Sequence, residues 1–243
     1  MKFAIDIGHN APPKDIGAMG IKFEDELTVG VGRELIKILV RNKHTVVETK
    51  PSLGQSVVSS LRDRVQTANR ENCDIFVSLH FNAANYRAHG TEIYALSRAA
   101  SGIATEVLKE IVKLGFADRG VKRAPFYVLR HTTMPAVLIE CCFCDSARDM
   151  QLFDAGKMAR AIATGLIGDV GGVSFEYRTV QINTFTWLKT RSAQSVDLSE
   201  SEKKLLPPGK YQAVVTSEEE GHYYCNFIDG REGFLYAGHV KIS

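Results

Sequence analysis

The chain has 243 residues, of which 44% are apolar and 24% are charged, as in an ordinary globular protein. Its 30 basic and 28 acidic side chains give a formal net charge of +2, which is too balanced for a dedicated nucleic-acid binder. No apolar run approaches the roughly 20 residues that cross a bilayer, so membrane insertion is not expected.

The first 170 residues alternate between strand patterns and helix patterns. Apolar residues at helical spacing, such as Leu27, Val31 and Leu35, predict helices over about 24–41, 100–114 and 146–168. Another helix is expected to begin with a capping box at Ser60-Leu61-Arg62-Asp63. Interleaved strands and helices predict an α/β domain with a mostly parallel or mixed sheet. The predicted strands are Lys2–Ile7, Thr45–Glu48, Asp74–Leu79, Thr91–Leu96, Phe126–Leu129 and Ala136–Ile139.

The composition changes near residue 173. Residues 174–243 contain 10 aromatic side chains in 70 positions, against 11 in the first 173 residues. Gly168 to Val173 has the composition of a short linker, so we expect one domain over 1–170 and another over 175–243. Asp229-Gly230 is a hairpin signal, and the second domain is predicted to be a small all-β barrel. Its predicted strands are Thr184–Leu188, Tyr211–Val215, Tyr223–Phe227 and Gly233–Tyr236.

The five cysteines do not form a disulfide pattern. Their number is odd, and three of them lie within residues 141–144. No apolar signal segment opens the sequence, so we expect reduced thiols in a protein made in the cytosol.

Polar residues stand where predicted strands end or a helix begins. His9, His80 and Glu140 follow three apolar strands, and Glu24 opens the first helix. If the strands are parallel, their carboxyl ends meet at one edge of the sheet. Two imidazoles and a carboxylate suit catalytic zinc, with a second carboxylate as general base. The structural alternative is that such histidines are ordinary strand-end residues and that Glu24 serves the helix dipole.

Six segments in order resemble the zinc-dependent N-acetylmuramoyl-L-alanine amidase family called Amidase_3. The resemblance covers about residues 1–170 and implies a mixed sheet of about six strands flanked by helices. It also implies that His9, Glu24 and His80 are zinc ligands and that Glu140 is the catalytic carboxylate. The segments are Ile5-Asp6-Ile7-Gly8-His9-Asn10, Glu24-Asp25-Glu26-Leu27, Leu61-Arg62-Asp63-Arg64 with Ala68-Asn69, Ser78-Leu79-His80-Phe81-Asn82-Ala83, Arg119-Gly120-Val121-Lys122 and Met134-Pro135-Ala136-Val137-Leu138-Ile139-Glu140.

The sequence departs from the family pattern at two of these positions. The family usually has Gly-His-Gly where this chain has Gly8-His9-Asn10. Its acidic ligand is usually followed by Lys, whereas here Asp25 and Glu26 follow Glu24, so Glu26 is a rival ligand. Glu24 is preferred because the apolar helix positions then fall where the family has them.

Two further features bear on the substrate. Arg130, after the predicted strand Phe126–Leu129, is a candidate to meet a substrate carboxylate. The C-terminal segment resembles bacterial SH3-like domains in Trp187-Leu188-Lys189-Thr190-Arg191, Pro207-Pro208-Gly209-Lys210 and the closing run from Gly233 to Val240. In cell-wall enzymes such modules commonly tether the catalyst to the wall.

The resemblance implies a peptidoglycan hydrolase, either a phage lysin or a bacterial enzyme, that acts on the cell wall. It would cleave the amide between N-acetylmuramic acid and L-alanine with zinc-activated water and Glu140 as base. The alternatives are a zinc peptidase or deacylase acting on another amide, and a non-catalytic cell-wall-binding protein.

Overall fold

A computed structural model describes residues 1–170, 177–190, 192–219, 221–227 and 231–243. The chain divides into two compact units, Met1–Gly172 and Val173–Ser243. Part of the predicted linker, from residue 171 onward, lies outside the described residues. No described helix is both long and apolar enough to cross a membrane.

The first unit is built from six strands and six α-helices. The strands are β1 (Lys2–Ile7), β2 (Thr45–Glu48), β3 (Ile75–Asn82), β4 (Thr91–Ala95), β5 (Asp118–Lys122) and β6 (Ala136–Phe143). The helices are α1 (Glu24–Arg41), α2 (Val57–Arg70), α3 (Arg98–Val112), α4 (Tyr127–His131), α5 (Ala147–Leu152) and α6 (Ala155–Ile167).

The six strands form one mixed sheet in the order β2-β1-β3-β6-β4-β5. Strands β2, β1, β3 and β6 are parallel to one another. Strand β4 runs antiparallel to β6, and β5 is parallel to β4. The predicted α/β class with a mostly parallel six-stranded sheet is therefore confirmed.

The two faces of the sheet are covered by different helices. On one face, Ala4, Phe76 and Leu138 pack in an apolar cluster with residues of α2 and α4. On the other face α1 lies so close to β1 that a Cβ on Gly32 would come 2.6 Å from Cγ1 of Ile7. Because strand residues alternate between faces, Asp6, Ser78, His80 and Glu140 belong to the face of α2 and α4.

The predicted strand Phe126–Leu129 is wrong, because this segment is the helix α4, Tyr127–His131. A run of four apolar residues does not distinguish a strand from a buried helical turn. Val128 and Leu129 both face the apolar cluster with α2, which a strand would not allow. The sixth strand is instead β5, whose sequence Asp-Arg-Gly-Val-Lys has no apolar pattern because it lies at the sheet edge.

The start of α2 also differs from the prediction. Ser56 is the N-cap, and its hydroxyl and that of Ser59 form the reciprocal capping box. Ser60 lies inside the helix, fully buried, and its hydroxyl donates to Asp15. The predicted box at Ser60 is thus displaced by one helical turn, because the serines at 56 and 59 provide the same chemistry earlier.

The second unit contains a seven-stranded antiparallel sheet in the order β13-β7-β10-β11-β12-β8-β9. Val180, Ala213 and Leu235 are fully buried in its apolar core. The predicted hairpin at Asp229-Gly230 lies outside the described residues, although β11 and β12 on either side are paired. The strands are β7 (Tyr177–Ile182), β8 (Thr186–Lys189), β9 (Lys203–Leu206), β10 (Gly209–Glu219), β11 (His222–Phe227), β12 (Glu232–Tyr236) and β13 (Val240–Ile242).

All five cysteines are free and buried. Burial raises the pKa of the Cys141 and Cys142 thiols well above the ordinary value, and that of Cys144 to about 11. These thiols therefore carry very little thiolate at neutral pH.

The contact between α3 and α6 generates a first prediction, based on two glycines. A Cβ at Gly165 of α6 would come 2.4 Å from Cα of Val107, whereas one at Gly102 of α3 would meet nothing within 4 Å. Gly165→Ala should lower the free energy of unfolding by about 1–3 kcal/mol through overpacking. Gly102→Ala should raise it by about 0.5–1 kcal/mol, because alanine favours the helix. Urea unfolding followed by far-ultraviolet circular dichroism measures both changes. If both substitutions changed the free energy of unfolding in the same direction, the packing of α3 against α6 would be contradicted.

Candidate metal centre

Three adjacent parallel strands bring the candidate residues to one edge of the sheet. His9 follows β1, His80 lies in β3 and Glu140 lies in β6, with His80 and Glu140 directly in register. Glu24 is the first residue of α1, which places its side chain at the same edge. The topology therefore gathers four residues, the first and last of which are 131 positions apart in the sequence.

His9, Glu24 and His80 present one donor atom each, and these atoms lie within 4.8 Å of one another. Oε1 of Glu24 is 3.4 Å from Nε2 of His9 and 3.2 Å from Nδ1 of His80. The two imidazole rings meet edge to face, with centroids 4.9 Å apart. Two imidazoles and one carboxylate around a common point are the donor set of many catalytic zinc sites.

The structure distinguishes Glu24 from its rival Glu26. Glu24 is only 3% exposed and faces both histidines, whereas Glu26 is exposed on α1. The Glu24 carboxylate is fixed by backbone donors: Oε1 accepts from the amide of Phe81 at 3.0 Å and Oε2 from that of Ala18 at 2.8 Å. Glu24 is therefore held in place independently of any ion.

The orientation of His9 is set by a residue that the sequence analysis missed. Nδ1 of His9 lies 2.9 Å from Oδ1 of the buried Asp15, which leaves Nε2 to face Glu24. Metal-binding histidines in proteins almost always have such a carboxylate or carbonyl partner on the second ring nitrogen. The sequence shows that an acid, Asp15, follows His9 by six residues, but this spacing does not reveal that the two side chains are in contact.

Asp15 is in turn held by α2. Its Oδ2 accepts hydrogen bonds from the Ser60 hydroxyl and from Nη2 of Arg64, at 3.1 Å. Arg64 is 1% exposed, and its guanidinium also pairs with Asp6 and donates to the carbonyl oxygens of Ile7 and His9. The position of Arg64 on the apolar face of α2 was the feature of the sequence that could have predicted a buried ion pair.

Asn10 replaces the glycine that the family usually has after the first histidine. His9 and Asn10 have φ angles of +54° and +56°, in the left-handed region. Asparagine tolerates this region better than most residues. Its side chain donates to the carbonyl of Gly8 at 2.8 Å and to the Thr28 hydroxyl at 2.9 Å, so the substitution preserves the turn.

The charges of the cluster are strongly coupled. Burial alone would lower the pKa of His9, but hydrogen bonds with Asp15 and Glu24 outweigh it and raise that pKa to about 10. Burial acts against ionisation of Glu24, yet its contacts with His80 and His9 hold the pKa of that carboxyl well below its usual range. The two carboxylates thus favour a positive charge beside them. In the metal-free protein a proton on His9 supplies this charge, and a bound cation would replace that proton.

Glu140 stands apart from this cluster electrostatically. Among the described residues, its Oε2 is buried without a hydrogen-bond partner. Burial raises the pKa of Glu140 to about 7; nearby His80 opposes this, while Glu24 and Glu92 act in the same direction as burial. A carboxyl that is ready to exchange a proton near neutral pH therefore faces the histidine–glutamate cluster.

A pocket of about 280 Å³ opens in front of these groups. Its polar floor includes His9, His80 and Glu140. Its apolar wall comes from α2 and the α4 segment: Val57, Leu61, Phe126, Tyr127 and Val128. Arg130 is exposed on α4 and is not among the residues that line the pocket, so the structure does not bring it to the cluster.

The sequence profile of the N-acetylmuramoyl-L-alanine amidase family, Amidase_3, matches residues 3–169. The chain belongs to this family. It is 32% identical over 167 residues to the N-acetylmuramoyl-L-alanine amidase CwlM of Bacillus licheniformis, covering 68% of this chain and 65% of that protein. It is 31% identical over 170 residues to the endolysin of Bacillus phage SPP1, covering 66% of this chain and 61% of the endolysin.

Among solved structures, this amidase-family fold is similar to the catalytic domain of CwlV, an N-acetylmuramoyl-L-alanine amidase from Bacillus (Paenibacillus) polymyxa. The TM-score is 0.60 at 33% identity, over 68% of this chain and 94% of that domain. The catalytic domain of the CD27L endolysin shares the fold, with a TM-score of 0.65 over 70% of this chain and 98% of that domain. The chain spans about half to two thirds of the length of the curated relatives it matches.

The burial of Glu140 predicts a pH-dependent stability in metal-free protein. Its pKa is about 7 when folded against an ordinary 4.5, so the folded state holds the extra proton between these values. The stability contributed by the neutral carboxyl is complete below pH 4.5 and is lost as the pH rises through 7. In the presence of a chelator, the free energy of unfolding of Glu140→Gln should therefore exceed that of the parent by about 3 kcal/mol at pH 8. At pH 4.5 the two values should be nearly equal.

Urea unfolding of both proteins at the two pH values measures this difference. Glu26→Gln, which changes an exposed carboxylate of the same type, is the matched control and should show no such pH dependence. An equal effect of Glu140→Gln at both pH values would mean that the carboxyl is not buried in the way described.

Proposed function

We propose that this chain is a zinc-dependent N-acetylmuramoyl-L-alanine amidase that hydrolyses peptidoglycan. The scissile bond is the amide between the lactyl group of N-acetylmuramic acid and L-alanine of the stem peptide. The observation that carries the proposal is the convergence of His9, Glu24 and His80 beside the unpartnered carboxyl of Glu140, in a chain of this family. The proposal needs all four side chains together, because any two of them alone would be consistent with a purely structural role.

Three residues would hold the metal: His9 through Nε2, Glu24 through Oε1 and His80 through Nδ1, since these atoms already face one another. Three protein donors leave a coordination position open, as catalytic zinc requires. When bound, zinc supplies Lewis-acid chemistry that polarises the scissile carbonyl and makes the attacking water more acidic. Asp15 keeps the proton on Nδ1 of His9 and so leaves Nε2 available.

Glu140 acts as the proton carrier. It accepts the proton of the attacking water and delivers it to the nitrogen of the leaving L-alanine. A pKa raised by burial to about 7 suits both steps, because the group is neither too weak a base nor too weak an acid at neutral pH. Oε2 of Glu140 has no hydrogen-bond partner among the described residues that would compete for the proton.

The apolar wall of the pocket fits the groups next to the scissile bond. The lactyl and alanyl residues each carry a methyl group, and side chains such as Val57, Leu61 and Phe126 would contact them. A mostly apolar wall with a few converging polar groups is the usual form of a small-molecule site.

One assay separates this proposal from its alternatives. Purified peptidoglycan is digested with and without chelator, and new amino termini and new reducing ends are counted. An amidase releases amino termini at L-alanine and no reducing ends, and chelator abolishes the release. Amino termini at other stem residues would indicate a peptidase, and no release at all would indicate a non-catalytic wall-binding protein.

We propose that the second unit, over residues 175–243, is an SH3-like domain that binds the cell wall. The support is the resemblance of its sequence together with a sheet of short antiparallel strands around an apolar core. Because small β domains serve many functions, the role needs its own test.

A chain shortened at residue 172 provides this test. Every proposed catalytic residue lies before that point, so cleavage of small soluble muropeptides should be unchanged. Activity on intact cell walls should fall, because a tether raises the effective concentration of the enzyme at its substrate. Equal activity of both chains on whole walls would rule out a targeting role.

The ligand assignment predicts which variants lose metal. His9→Ala and His80→Ala should lose bound zinc, since two protein donors are too few for a tight site. Glu24→Ala should weaken zinc binding, while Glu26→Ala, two residues along the same helix, should retain it. Elemental analysis of the purified proteins measures the content, and zinc retained by the double histidine variant would refute the assignment.

Glu140 should separate metal binding from catalysis. Glu140→Gln should fold and retain zinc, because the carboxylate is not a ligand, while kcat falls about 10²–10⁴-fold. KM should change far less, since the lost interaction belongs to the transition state. A variant that is zinc-free, or zinc-bound and nearly fully active, would overturn the mechanism.

A further inference from the structure

The face of the sheet that carries the metal centre continues beyond Glu140 onto β4 and β5. Glu92 of β4 lies opposite Glu140 of β6 in the antiparallel register. Directly opposed residues have their side chains on the same face. Beyond Glu92, Arg119 and Lys122 of β5 complete a row that begins at His80 and ends at the sheet edge.

A bulge aims both cations in the same direction. Between the paired positions Thr91–Asp118 and Ile93–Val121, β5 contains one residue more than β4. Gly120 lies inside this bulge with φ +88°, a conformation that favours glycine. Bulges re-aim side chains, and here the result is that Arg119 and Lys122 both reach the same carboxylate.

The two cations share one oxygen atom. Nε of Arg119 and Nζ of Lys122 lie 2.7 Å and 2.6 Å from Oε2 of Glu92. Oε1 of Glu92 is occupied separately, by the Tyr94 hydroxyl at 2.7 Å and by the Asn82 amide at 3.2 Å. Burial opposes ionisation of Glu92, but these hydrogen bonds lower its pKa to about 2, so the carboxylate is charged at neutral pH.

The group as a whole therefore carries an excess positive charge. Glu92 is buried, with 4% of its side chain exposed, while 35% of Arg119 and 37% of Lys122 remain open to solvent. The ammonium group has three donors, of which Glu92 takes one. The cations are thus fixed in place by Glu92 and still have donors to offer.

Their position relative to Glu140 indicates which part of the substrate they meet. In the proposed function Glu140 protonates the leaving amine, so the peptide side of the bond lies on the side of Glu140 away from the histidines. That side is β4 and β5. The charged groups of Arg119 and Lys122 lie at the Glu92 carboxylate, and Glu92 is on the strand next to β6, roughly 5 Å across the sheet. An extended peptide covers this distance in about two residues.

We propose that Arg119 and Lys122, held on Glu92, form a subsite for the free carboxylate of an acidic residue in the stem peptide. The inference rests on the proposed function and adds a substrate class to it. The enzyme prefers stem peptides whose second residue has a free α-carboxylate over peptides in which this group is amidated. A charge-assisted contact of a partly buried cation accounts for a preference of about tenfold.

Two N-acetylmuramoyl peptides test the subsite: they differ only in whether the second residue is D-glutamate or D-isoglutamine. The full-length zinc enzyme should show a kcat/KM about tenfold higher for the carboxylate peptide, through KM. Lys122→Met should lose this preference and retain its fold, because Arg119 still neutralises Glu92. Lys122→Arg should keep the preference.

Lys113→Met is the matched control, since Lys113 is an exposed lysine directly after α3 that is paired with Glu110, and it should behave as the parent. Equal cleavage of both peptides by the parent, or an equal loss of preference in Lys113→Met, would overturn the subsite while leaving the amidase intact. Cleavage of neither peptide would overturn the proposed function and the subsite with it.

Discussion

The candidate metal centre depends on one buried cation. The Arg64 guanidinium is almost inaccessible and meets two carboxylates and two carbonyl oxygens, those of Ile7 and His9. A buried charge is costly unless it is paired and hydrogen-bonded on this scale. The pairing also has a structural consequence: it holds the chain at the end of β1, where His9 adopts a left-handed backbone conformation. Such conformations persist only where the surroundings over-determine them, and Arg64 together with Asp15 provides that constraint.

The two carboxyl groups at this edge of the sheet have opposite electrostatic environments. Glu24 receives two backbone amides and faces both imidazoles, which stabilises its charge. Oε2 of Glu140 is buried and has no partner among the described residues, which destabilises the charge of this carboxyl. Environments that separate the pKa values of neighbouring acids separate their chemical roles as well. The fold thus gives two glutamates of one site opposite charge preferences, as the proposed roles of ligand and proton carrier require.

Much of the site could be predicted because three of its residues directly follow apolar runs, although β3 and β6 continue beyond His80 and Glu140. His9, His80 and Glu140 each follow an apolar run, and the parallel order of β1, β3 and β6 then places them together. Asp15 could not be found in this way, because its role comes from contact with Arg64, 49 residues away. Strand β5 escaped prediction because an edge strand with one neighbour needs no apolar pattern, and α4 because four apolar residues fit either type of element.

The buried thiols have a consequence for where such an enzyme can work. Oxidation by peroxide or disulfide exchange proceeds through the thiolate, and it requires access to the sulfur atom. The five cysteines offer neither, since all are buried and burial raises the thiol pKa of Cys225 to about 12. A hydrolase of the cell wall meets an environment without the reducing power of the cytosol. Thiols buried in this way would not cross-link in such an environment, which suits the proposed function.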